Sequence, residues 1–170
     1  STITTSAAGF ASLAAMAVSP DGTHLATASS DKTAIIWDLA KRSPLATLRH
    51  HGDWVVASAY APDGRTLATG GADKRLVLWD AETCQPLVTR EDHAGTVRVV
   101  AFSPDGKTLA SGAFDRTVKI RDAVSGEVIR TLSGHEGPVT SLAFSPDGRR
   151  LATGSGDWTV RIWDTAGGEV

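Results

Sequence analysis

The sequence holds no asparagine, and only one cysteine, one methionine and one tyrosine among its 170 residues. Without asparagine there is no acceptor for N-linked glycosylation. The lone Cys84 excludes an intrachain disulfide and makes an oxidising compartment unnecessary, so a cytoplasmic location is expected. No apolar run approaches the ~20 residues that a membrane helix requires, and no membrane partner is expected. A surplus of charge of one sign is also missing: 17 Lys and Arg stand against 19 Asp and Glu, a formal net charge of -2. That balance excludes nucleic-acid binding driven by phosphate attraction. The chain opens on Ser1 rather than methionine, which reads as a processed form or a piece of a longer chain, and no signal peptide is expected. What the sequence does have is 41% hydrophobic residues, enough for a core and too many for a disordered chain.

Those residues are arranged with a period. The tetrapeptide Ser19-Pro20-Asp21-Gly22 returns as Ala61-Pro62-Asp63-Gly64, Ser103-Pro104-Asp105-Gly106 and Ser145-Pro146-Asp147-Gly148, 42 residues apart each time. In the same phase Trp37-Asp38 returns as Trp79-Asp80, Arg121-Asp122 and Trp163-Asp164. Four periods fill 168 of 170 positions, so no linker or second domain remains. The tetrapeptide suits a type I turn, with Ser first, Pro presetting φ second and Gly fourth. Around it, Val139 to Phe144, Arg150 to Gly154 and Thr159 to Trp163 read as strands, and Glu127 to Leu132 supplies a fourth in the preceding repeat. No stretch keeps a helical period. Each repeat is thus expected to be a four-stranded antiparallel meander, a blade, with two apolar faces that it cannot bury alone.

The turn, the Asp of the next tight turn, the Trp-Asp ending and the Gly-His before the first strand resemble the WD-repeat family of β-propellers over all four repeats. The resemblance implies an all-β propeller with blades at about 9–50, 51–92, 93–134 and 135–170, and 1–8 as an outer closing strand. It also implies a structural tetrad per blade, in which His, Ser or Thr, Asp and Trp hydrogen-bond in series. Mapped by column, blade two has His51, Thr69, Asp73 and Trp79, and blade four has His135, Thr153, Asp157 and Trp163. Blade one keeps Thr27, Asp31 and Trp37 with Gly9 in place of His; blade three keeps His93, Ser111 and Asp115 with Arg121 in place of Trp. Arg121 reads as drift, the alternative being an arginine that reaches a carboxylate. Blades one and three are accordingly expected to be less rigid, by about 1 kcal/mol each for a missing hydrogen bond.

Residues 1–8 fall in the fourth-strand column, and Val170 lies where the last blade's own fourth strand would begin. By resemblance, Ser1 to Ser6 would close the ring. WD-repeat propellers typically have seven blades of about 51°, so four would span only ~205°. We therefore expect a symmetric homodimer closing one eight-bladed ring at about 45° per blade.

A Ser or Thr with His and Asp also matches a nucleophile triad. The structural reading is preferred, because the set recurs in several blades and Thr is a poor nucleophile without special activation. No catalytic residue, and no enzymatic activity, is expected. Histidines spaced one per blade do not converge on a metal. Gly70-Gly71 and Gly154-Ser155-Gly156 precede no helix and make no phosphate cradle, so no cofactor is expected. Cys84 reads as a small loop residue.

The resemblance places protein and peptide partners at a rim built from the loops before first strands and the tight turns before third strands. Here these loops carry Trp54, Thr96 and Arg98, and the turns carry Lys32, Lys74, Phe114, Arg116 and Trp158. Trp, Phe and Arg are common interface anchors. The same aromatics could instead cover gaps between blades. The cations make the rim locally basic, which points to an acidic peptide. The leading reading is a non-enzymatic interaction scaffold whose consensus turns resemble bacterial propellers carried behind signalling domains. The alternative is an engineered or excised propeller fragment that self-assembles and has no ligand of its own.

Overall fold

A computed structural model of the chain describes residues 12–169. The expected closing strand Ser1 to Ser6 and Gly9 lie outside the described residues. The rest forms four antiparallel sheets of four strands. The first contains β1 (Leu13–Val18), β2 (His24–Ser29), β3 (Thr33–Asp38) and β4 (Ser43–Arg49). The second contains β5 (Val55–Tyr60), β6 (Thr66–Gly71), β7 (Leu76–Asp80) and β8 (Pro86–Arg90). The third holds β9 (Val97–Phe102), β10 (Thr108–Ala113), β11 (Val118–Asp122) and β12 (Val128–Leu132), and the fourth β13 (Val139–Phe144), β14 (Arg150–Ser155), β15 (Val160–Asp164) and β16 (Gly168–Glu169). No helix occurs among the described residues, hence none long and apolar enough to cross a membrane.

Turn chemistry sets the strand boundaries. In the first turn the Gly22 amide donates to the Ser19 carbonyl at 2.9 Å and Gly22 sits at φ +72°, a left-handed position that glycine takes without a Cβ clash. The Asp21 carboxylate caps the same turn by accepting from Ser19 Oγ at 2.6 Å and from the Thr23 amide at 3.0 Å. Thr159, expected to open a strand, stays in its turn because both its amide and its hydroxyl donate to Asp157 Oδ1, at 2.8 and 2.6 Å. At the other end, the chain does not stop short of its last strand: Gly168 and Glu169 already pair with Asp164 and Trp163.

The core lies between blades, not within them. The first strands pack in series, β1 on β5, β5 on β9 and β9 on β13. One buried cluster joins Ala26, Ala34 and Ile36 of blade one to Val55, Leu67 and Trp79 of blade two. Its equivalents join Leu76 and Leu78 to Val97 and Leu109, and Val118 and Ile120 to Val139 and Leu151. Each Val, Leu or Ile among them contributes about 1.5–3 kcal/mol when fully buried, and an isolated blade would forfeit that. The packing is close enough to dictate glycine: a Cβ on Gly70 would stand 2.7 Å from Val97 Cγ1 of the next blade. This contact, rather than any phosphate, accounts for the glycine there. Among the described residues β13 and β1 are not packed on each other as neighbours are, so the series is open.

Candidate functional site

The rim is held by the tetrads. In blade two Trp79 Nε1 donates to Thr69 Oγ1 at 2.8 Å, and Thr69 Oγ1 lies 2.8 Å from His51 Nε2. His51 Nδ1 is 3.0 Å from both oxygens of Asp73. An indole N–H can only donate, so the Thr69 hydroxyl accepts from it and gives its own proton to His51 Nε2. Nδ1–H then donates to Asp73, and the imidazole is neutral. Asp73 also accepts from the Gly52 amide at 2.8 Å, and the Ala72 amide donates to the Trp54 carbonyl at 2.7 Å. The loop before β5 and the turn after β6 are thereby fastened together at several points.

Blade four repeats this arrangement, with Trp163 Nε1 to Thr153 and His135 to Thr153 and Asp157 all at 2.8 Å. In blade one Trp37 Nε1 donates to Thr27 Oγ1 at 2.9 Å, and Asp31 accepts from Thr33. Blade three departs from expectation. Arg121 is not drift: its side chain is fully buried and Nε donates to the Ser111 hydroxyl at 2.9 Å, where the other blades use indole. His93 completes the chain to Ser111 at 2.9 Å and to Asp115 at 2.8 Å. The guanidinium is left with donors to spare. Nη1 and Nη2 grip both oxygens of Asp92, at 2.8 and 2.5 Å, and Nη1 also reaches the Gly126 carbonyl at 3.1 Å. The hydrogen bond expected to be missing from blade three is therefore present. Asp92 stands in the column of His50, which meets Trp79 edge-on at 6.0 Å, and of Gly134. A departure from the repeat at Arg121 and a carboxylate that the sequence reading did not single out thus form one ion pair.

Burial holds the His51 and His93 imidazoles below their usual 6.5, against the pull of Asp73 and Asp115. At Asp115 burial alone would raise the carboxyl, but hydrogen bonds from Thr117, His93 and backbone amides outweigh it and bring it down to about 2. These groups are less protonated folded than unfolded, so protons favour unfolding. Stability is fully present above pH 6.5, falls as the pH drops below that value through the depressed histidine range, and falls again from 3.8 towards about 2. A lower urea midpoint at pH 5 than at pH 7.5 is expected. A midpoint that rises on acidification contradicts the neutral imidazoles.

Of the rim residues, the structure brings Trp54, Arg98 and Phe114 together. They line a recess of about 510 Å³ between blades two and three, with Asp53, Val56, Ala72 and Thr96. Trp54 is 56% and Phe114 48% exposed, and they present two apolar walls. Arg98 is half-buried, with Nη1 donating to the Val56 carbonyl at 3.3 Å across the blade junction. Asp53, Thr96 and Ala72 join only because neighbouring blades abut there, which no spacing in the sequence signals. Lys32, Lys74, Arg116 and Trp158 do not line this recess. They occupy one equivalent turn position per blade, each at φ between 68° and 73°, a left-handed conformation that costs a side-chain-bearing residue about 1–2 kcal/mol. Lys32 leans over the next blade, with Nζ 3.0 Å from the Gly52 carbonyl.

Among the described residues no group of three or more His, Cys, Asp or Glu is placed to hold a metal ion. The triad-like hydroxyls are sealed: Thr69 and Ser111 have no exposed surface, and His93 retains 4%.

A family model described as the second β-propeller of echinoderm microtubule-associated protein matches residues 13–170. Among curated proteins none matches the chain.

Proposed function

The chain belongs to the β-propeller family of that second echinoderm microtubule-associated protein propeller, and from this we propose a non-enzymatic scaffold of the WD-repeat type that binds protein or peptide partners at its loop rim. The observation that carries the reading is the recess walled by Trp54 and Phe114 with Arg98 between blades two and three. It joins exposed aromatic surface to a fixed cation on a rigid frame, the usual make-up of an interface anchor site. Buried, fully bonded Ser/Thr–His–Asp sets support a structural rather than a catalytic role. With Lys32, Lys74 and Arg116 exposed on neighbouring turns, the fitting partner is an acidic peptide bearing an apolar side chain for the recess. The four blades serve as half of an eight-bladed ring completed by a second copy.

Peptide selection from a displayed random library tests the rim. Binders enriched in Asp and Glu are expected, weakened at least ~30-fold by Trp54→Ala or Phe114→Ala, which corresponds to about 2 kcal/mol for an anchor. Selected peptides that bind the double variant as well as the wild type would remove the recess from consideration, as would a selection that yields no binder.

A further inference from the structure

A second cavity lies at the opposite end of the strands from the Trp54–Phe114 recess. It holds about 630 Å³ between blades one and two, where the β1–β2, β5–β6 and β7–β8 turns meet. That volume is in the range of ligand pockets, about 300–1,000 Å³. Three departures from the repeat converge here. Tyr60, on the cavity wall, stands where the other blades have Val18, Phe102 and Phe144. Glu82, also on the wall, stands where they have Ala40, Val124 and Ala166. Ala61, next to Tyr60, stands where they have Ser19, Ser103 and Ser145.

Each departure adds or frees a polar group. The Tyr60 hydroxyl oxygen is buried and has no hydrogen-bond partner among the described residues. An unpaired buried hydroxyl costs stability, which the phenylalanine of blades three and four avoids. Burial, with Cys84 and Asp21, pushes this phenol up to about 12, so it stays neutral. Ala61 supplies no hydroxyl, so Asp63 lacks the Ser Oγ bond that Asp21, Asp105 and Asp147 accept at 2.6, 2.7 and 2.5 Å. Its carboxylate accepts from the Arg65 amide at 2.9 Å. Glu82 adds an exposed carboxylate. With Asp21 and Asp80, four carboxylates thus face the Arg65 guanidinium and the His24 imidazole. Hydrogen bonds from Ser19 and Thr23 hold Asp21 below the usual carboxylate range, and those from Thr83 hold Asp80 there. Leu45, 51% exposed, and the Tyr60 ring supply apolar wall.

We propose that this cavity binds an ammonium or guanidinium group on an aliphatic stem, from a lysine or arginine side chain of a partner protein or from a free polyamine. The Tyr60 hydroxyl accepts an N–H of the cation, and Asp63 and Glu82 supply the counter-charge. Such a stem lies along apolar surface while its head stays among polar groups, which suits Leu45 and the Tyr60 ring beside the carboxylates. A hydroxyl that costs the free chain stability is repaid when the cation arrives, and the three departures from the repeat meet at one place for that reason. The scaffold then offers two ends of opposite preference, the recess to an acidic peptide and this cavity to a cation.

A nitrogen-15 NMR titration of the whole chain at low salt tests it. The probes are a capped alanine pentapeptide with a central lysine, its twin with norleucine in place of the lysine, and spermidine. Saturable shifts of the amides of residues 63–66 and 81–84 are expected with the lysine peptide and none with the norleucine twin. If spermidine shifts the same amides at lower concentration than the peptide does, the cation is a free polyamine; if it needs more or shifts nothing, the cation belongs to a protein segment. Tyr60→Phe is expected to bind roughly 10-fold more weakly, as for a lost hydrogen bond to a charged group. The same variant is expected to unfold at a higher urea concentration than the wild type, since it removes an unpaired buried hydroxyl. Glu82→Ala, which restores the blade-one residue, is expected to bind about 3-fold more weakly, the scale of an exposed ion pair. The proposal is overturned if none of the probes shifts these amides, if the norleucine twin shifts them equally, or if Tyr60→Phe binds like the wild type. A lower urea midpoint for Tyr60→Phe overturns it too, because the hydroxyl would then already be satisfied in the free chain. Acidic-peptide capture at the Trp54–Phe114 recess is read separately and does not depend on these outcomes.

Discussion

Asp92→Ala is expected to destabilise the protein by about 3 kcal/mol, and Arg121→Trp in the same chain to recover most of the loss. Arg121 is fully buried, and a buried charge stripped of its partner costs about 3–5 kcal/mol. The lower end applies because the Asp92 side chain keeps 37% exposure, so part of the pair is already screened by water. Arginine is suited to the site because its planar fork serves Ser111 through Nε and Asp92 through both Nη atoms at once. The recovery follows from blades two and four, where tryptophan makes the same bond to the hydroxyl and no carboxylate faces it. In blade two the Asp92 column holds His50, whose ring meets the Trp79 indole edge-on at 6.0 Å, so a side chain at this position fits beside an indole. The measurement is a double-mutant cycle by urea unfolding. A coupling of at least about 1.5 kcal/mol is expected for groups in direct contact, and additivity within about 0.5 kcal/mol would mean the pair does not stabilise the blade.

Thr69→Val should cost on the order of 4 kcal/mol, although it changes shape very little. The hydroxyl serves two buried groups, Trp79 Nε1 and His51 Nε2. Each buried polar atom left unpaired costs about 1–3 kcal/mol, and the new methyl returns only part of that. Thr27→Val in blade one supplies the comparison. Gly9 brings no imidazole to that column, and the group orphaned is the Trp37 indole. A loss roughly half as large, about 1–3 kcal/mol, is expected there. Equal losses at the two positions would show that the imidazole contributes nothing to the series of bonds. The acid sensitivity expected of His51 and His93 would then need another source.

Together these variants examine how the rim is built. The recess walls hang from backbone bonds, Ala72 to Trp54 and Phe114 to Thr96, that run beside the tetrads of blades two and three. Weakening either tetrad loosens one wall, so Thr69→Val should impair peptide capture as well as stability. Trp54→Ala, at an exposed site, should impair capture alone.

Much of this protein was legible in its 42-residue period. The tetrad members Thr69, Asp73 and Trp79 were implied by the resemblance to WD-repeat propellers, whereas turn positions and strand order follow from short-range chemistry: Pro and Gly preset a turn, and β-branched runs extend from it. These depend on neighbours within a few residues and so are written in the spacing. The Arg121–Asp92 pair was legible only in part: Arg121 breaks the Trp column, but the column of Asp92 holds His50 and Gly134 and has no pattern to break. The tertiary structure alone decided which side chains fill the core between blades, that Gly70 is small because Val97 of the next blade presses on it, and that Trp54, Arg98 and Phe114 meet in one recess. It also decided that Leu13 and Val160, apolar like their equivalents, stand in the open. The physical reason is common to all four: the angle and distance between successive blades are set by long-range packing, and a residue's burial depends on whether a neighbouring blade is there to cover it.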